Sequence, residues 1–126
     1  LFDSSQIPER IVDVLVTRQS FIEQNKDTLK TVITAHFKAL EYLKKNTSDA
    51  TLRIAPRLDV PSTEVMKQFE GISLPDLIEN HNYLSLESAN LSSAVDELIS
   101  LMKDKQLLFK SIDSSQLIYD SLLPEK

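Results

Sequence analysis

A single glycine, Gly71, serves all 126 residues, where average usage of ~7% would supply about nine. Only a backbone without Cβ approaches a phosphate closely enough to build a P-loop or a dinucleotide-binding turn, and both need several glycines. Neither can exist here. The favoured two-residue hairpin turns need positive φ, so this chain can make few of them. The shortage of glycine directs the chain toward helices with few sharp β-turns.

Cysteine is absent, which excludes disulfides, iron–sulfur clusters, thiolate zinc sites and cysteine nucleophiles. Nineteen acidic residues against 14 basic ones leave a formal net charge of −5. That balance argues against general nucleic-acid binding, whose affinity rests on basic patches that release counterions. No apolar run approaches the ~18–20 residues of a membrane span. The chain opens Leu1-Phe2-Asp3, with no initiator Met, basic n-region or apolar h-region, and reads as a mature or excised segment.

Residues 10–17 read RIVDVLVT. Five apolar, mostly β-branched residues in so short a run suit a strand buried on both faces, as in a parallel sheet. Pro8 fixes a turn before it and biases Ile7 toward extended geometry. Leu1-Phe2 could end another strand. The periodicity then changes to that of helices. A short helix is expected over 18–23. A long one follows over about 26–45, capped by Asn25 or Asp27, with Leu29, Val32, Ile33, His36, Phe37, Leu40 and Leu43 on one face.

Thr47 or Ser48 should cap the next helix, which Pro56 ends or kinks. Pro61 starts a third with Val65, Met66 and Phe69 inward, and Gly71 stops it. A fourth begins at 73–76 and carries Leu77, Ile78 and Leu84. A fifth covers about 88–104, and Asp113 caps a short last helix with Leu117, Ile118 and Leu122. The expected class is mainly α with one or two N-terminal strands. A buried-type strand has too few partners here, because two strands alone make no stable sheet. Residues 1–17 therefore look like part of a larger sheet.

Groups able to carry chemistry are sparse. His36 and His81 stand 45 residues apart, and packing or surface roles suit both. HExxH spacing, a nucleophile elbow and an EF-hand loop are all missing. The other serines lie mostly in caps and turns, where a hydroxyl satisfies backbone N–H groups. Lys44-Lys45 and Lys103-Asp104-Lys105 read as solvated helix ends. Asp13, inside the apolar run, must be paired or lie at a sheet margin, because a buried lone carboxylate is costly. Ser4 and Ser5 lie between a possible strand end and the Pro8 turn. They serve either that turn or an anion, since ligands of open α/β sheets bind just outside strand ends.

The string Leu1-Phe2-Asp3-Ser4-Ser5-Gln6-Ile7-Pro8, followed by IVDVLVTRQSFIEQN at 11–25, resembles the second half of periplasmic solute-binding proteins of ABC importers. The nitrate/sulfonate/taurine-type group, which includes relatives of thiamine-pyrimidine binders, is the nearest. AHFKALEYLKKNTSDATLRIAPRLDVPSTEVMKQFEGISLPDLIEN at 35–80 resembles that family's C-terminal helices. The family's Asn-Pro helix opening is altered, with Lys26 in place of Pro. The resemblance implies the C-terminal segment of a two-lobed α/β fold with solute bound in the cleft. Residues 1–17 would be the lobe-crossing strand segment, and 18–126 the helical region packing on the first lobe.

On that reading Ser4 and Ser5 are ligand-binding residues near the cleft. The chain is not an enzyme, having no paired base and nucleophile. It needs no metal, cofactor or nucleic acid. Its partners are a small, anionic or nitrogen/sulfur-containing solute and an ABC permease, in the periplasm or outside the cell, with or without a lipid anchor. An extracellular ligand-sensing domain of a receptor and a stand-alone helical interaction module are the alternatives. Taken alone, the 126 residues would leave an apolar edge uncovered, and a homodimer through 10–17 is expected.

Overall fold

The computed structural model describes residues 12–85 and 89–125. They are mainly helical: α1 (Gln19–Lys45), α2 (Thr47–Leu58), a 3₁₀ segment (Ser62–Phe69), α3 (Leu77–Leu84), α4 (Ala89–Asp104) and a 3₁₀ turn (Ser114–Gln116). No strand occurs among the described residues. The strand expected over 11–17 is therefore corrected for 12–17, which run without regular structure into α1. Val12, Val14, Leu15 and Val16 are 49%, 59%, 67% and 81% exposed. The physical reason is the one that made the run unusual. A strand needs a neighbour for its backbone N–H and C=O groups, and helices with internally paired backbones cannot supply one. The two-lobed α/β architecture is not visible in these helices, and the strand proposed at Leu1-Phe2 lies outside the described residues.

The described residues fall into two units. One comprises 12–26 and the described part of 83–121; the other comprises 27–82 and 122–125. In the first, α4 packs against the 3₁₀ turn at Ser114–Gln116. Leu91, Ala94, Val95, Ile99 and Met102 are half-buried, whereas Leu98 remains exposed. In the second, α2 packs against the 3₁₀ segment, whose Val65 is fully buried. Met66, expected inward, is 44% exposed. Three residues per turn place it about 120° around the axis from Val65.

α1 breaks where the two expected helices meet. Asn25 has φ −133° and ψ 32° inside the otherwise helical run. Its side-chain amide donates to the Phe21 carbonyl (3.2 Å), satisfying an acceptor at the end of the first piece. Ile22 and Leu29, two turns apart, are buried on either side of the break.

α2 starts after Asn46, without the expected side-chain cap from Thr47 or Ser48. Thr47 Oγ1 instead donates back to the Leu43 carbonyl at 2.9 Å. Pro56 removes one amide, and α2 runs only two residues further. It closes with Asp59 at φ 54°. α3 carries a capping box. The Asp76 carboxylate accepts from the amides of Ile78 and Glu79, and the Glu79 carboxylate accepts from the Asp76 amide at 2.7 Å. α4 ends with the Gln106 amide donating to Lys103 and the Leu107 amide to Met102, around Gln106 at φ 57°. That is a Schellman closure with glutamine where glycine is usual. Asp113 caps the last turn through Ser115, as the sequence indicates, but the turn ends at Gln116 and does not reach the expected helix positions Leu117, Ile118 and Leu122.

Candidate functional site

Ser4 and Ser5, the sequence's ligand-binding candidates, lie outside the described residues. Asp13 is exposed in a run without regular structure, so water reaches its carboxylate and the expected sheet margin is not seen. His36 is exposed and sets its ring edge-on to Phe37, with centroids 5.3 Å apart and planes at 71°. Half-buried His81 bonds through Nε2 to the Pro124 carbonyl at 2.9 Å. The two histidines thus have separate local contacts. Among the described residues, no group of three or more acidic or histidine side chains could hold a metal ion.

Sequence reading missed a polar cluster at the α1–α2 corner. Tyr42 donates its hydroxyl to Asp49 Oδ2 at 2.7 Å. Arg53 Nε donates to the same oxygen at 2.6 Å, and Nη2 reaches Oδ1 at 3.4 Å. The Arg53 hydrogen bond, then that of Tyr42, holds the Asp49 carboxyl below its ordinary range. The Tyr42 hydroxyl is pushed up because it donates to that carboxylate. The Asp49–Arg53 spacing of four was legible as a helical pair. Tyr42 joins only because the chain turns between α1 and α2. The cluster braces a corner and presents no unpaired nucleophile or base.

The same unit also carries a concavity. It is a shallow groove of about 470 Å³, open to solvent and lined chiefly by Leu52, Pro56, Asp59, Val60 and Pro61. A site that holds a small solute normally buries most of the ligand's surface, which an open groove cannot do. Among the described residues no helix is long and apolar enough to cross a membrane. Comparisons with family models, curated proteins and solved structures give no match to this chain.

Proposed function

We propose that this chain is the C-terminal segment of a solute-binding protein of an ABC importer, of the nitrate/sulfonate/taurine type. The observation that carries the reading is the exposed apolar run Val12–Val16 immediately before α1. Four aliphatic side chains at 49–81% exposure, in a stretch rich in β-branched residues, call for cover that these helices do not provide. A sheet continued by a first lobe would cover both faces of the run and pair its backbone. The resemblance of residues 1–25 and 35–80 to that family supports the same assignment.

In this reading the chain contributes one wall of a cleft, with Ser4 and Ser5 as hydroxyl donors to a small anionic or nitrogen/sulfur-containing solute. Transport follows from closure of the lobes around the solute, a population shift set by its higher affinity for the closed form. The molecule binds and delivers; it does no covalent chemistry.

The test uses the protein from its full coding sequence. Thermal unfolding is followed with nitrate, taurine, alkanesulfonates and aminopyrimidines. One of these classes should raise the midpoint, since saturation at 100 times Kd adds about 2.7 kcal/mol. Ser4→Ala or Ser5→Ala should weaken binding by about 0.5–3 kcal/mol by calorimetry, the range for one lost hydrogen bond. Unchanged affinity in both variants would reject the serine assignment.

A second reading, a stand-alone helical interaction module, is favoured by Leu98, Leu101, Leu107 and Phe109, all more than half exposed. It requires the 126 residues to bind a macromolecule unaided, whereas a segment of a cleft binds no small solute alone.

A further inference from the structure

The chain leaves the unit that holds α2 after Asn82, within α3, and rejoins it at Leu122. Two independent features mark the return. Leu122 is 5% exposed, one of the few buried apolar side chains among the described residues. Two residues later, the Pro124 carbonyl lies 2.9 Å from His81 Nε2. His81 is the penultimate residue of this unit before the chain departs. A carbonyl oxygen only accepts, so the imidazole must carry its proton on Nε2. The bond therefore joins residues 43 apart in sequence within one unit.

We infer that residues 122–125 are a strap, docked in cis on α3, with Leu122 as its apolar anchor and His81 as its clasp. The strap joins residues 122–125 to the 27–82 part of their own unit. This role does not rest on the solute-binding reading, because all its groups belong to the 27–82 and 122–125 unit. Proline suits the acceptor position. It has no N–H to leave unpaired, and its fixed φ limits the freedom lost when the strap docks.

The test is ¹⁵N relaxation on the full 126-residue chain. A docked strap gives Leu122, Leu123 and Glu125 order parameters close to the ~0.85 of rigid backbone. His81→Ala should lower them toward the ~0.6 that marks flexible backbone. His81→Gln, whose side-chain amide can donate from a similar position, should keep them high. Leu122→Asp should release the strap even with His81 intact. Mobile tail amides in the unmodified chain, or an unchanged tail in a folded His81→Ala variant, would overturn the proposal. Should His81→Ala fail to fold, imidazole ¹⁵N shifts of the unmodified chain still decide. A ring protonated on Nε2 is required, and one protonated only on Nδ1 contradicts the clasp.

Discussion

At the scale of single residues, the Tyr42–Asp49–Arg53 cluster gives a sharp electrostatic expectation. Asp49 is held low, first by Arg53 and then by Tyr42. Its contribution to stability is present above the ordinary carboxylate pKa of ~3.9 and is lost as pH falls through the lower folded value. Tyr42 has the opposite sign. Its pKa is raised, so its contribution stands below ~10 and is lost as pH rises through the folded value. The cluster is exposed, and solvent keeps its effect on stability small. The carboxyl titration is the better readout. In an NMR titration Arg53→Met should raise the Asp49 pKa more than Tyr42→Phe does. Equal or absent shifts would contradict the order of causes. Val65 is a packing counterpart, fully buried in its unit. Val65→Ala removes two methyl-sized groups and should cost about 1.6 kcal/mol in urea unfolding, at ~0.8 kcal/mol per buried carbon.

At the scale of elements, the scarcity of glycine has a measurable effect. Two helices end with a non-glycine residue at positive φ, α2 at Asp59 and α4 at Gln106. Left-handed backbone costs roughly 1–2 kcal/mol for an L-residue with Cβ, less for Asp than for Gln. Gln106→Gly should therefore stabilise the chain by about 1 kcal/mol, and Asp59→Gly by less, both read from the urea midpoint at unchanged m-value. Loss of stability on Gln106→Gly would count against the closure described here. Asp76→Ala should cost about 1 kcal/mol and speed amide exchange at Ile78 and Glu79, whose N–H groups it accepts. Most of this element order was legible. The break at Asn25, the left-handed turn at Gly71 (φ 79°) just past the 3₁₀ segment and the cap at Asp113 all follow from local backbone chemistry. Caps and faces were harder to read. Asn46 precedes α2 in place of a hydroxyl cap, and Ile78 turns outward at 60% exposure. Packing partners decide both, and periodicity does not name partners.

At the scale of the molecule, residues 12–16 are where reading by pattern and observed structure part. Their β-branched composition leads to the expectation of a strand buried between neighbours, whereas they run exposed and without regular structure into α1. The proposed site rests on Ser4 and Ser5, singled out by their place between an expected strand end and Pro8 and by the resemblance, because two adjacent serines have no distinctive spacing of their own. Two consequences follow for the isolated 126-residue chain. It should self-associate through the 10–17 segment, with light scattering giving a two-fold dimer at high micromolar concentration and Val14→Lys giving a monomer. It should also bind no small solute. The most direct measurement of the central claim is amide hydrogen exchange at residues 12–16, compared between the protein from its full coding sequence and the 126-residue chain held at low micromolar concentration. The solute-binding architecture predicts slow exchange in the former, where a sheet pairs these amides, and fast exchange in the latter. Fast exchange in both would mean that no sheet covers the run, and would contradict the assignment of this chain to a two-lobed solute-binding protein.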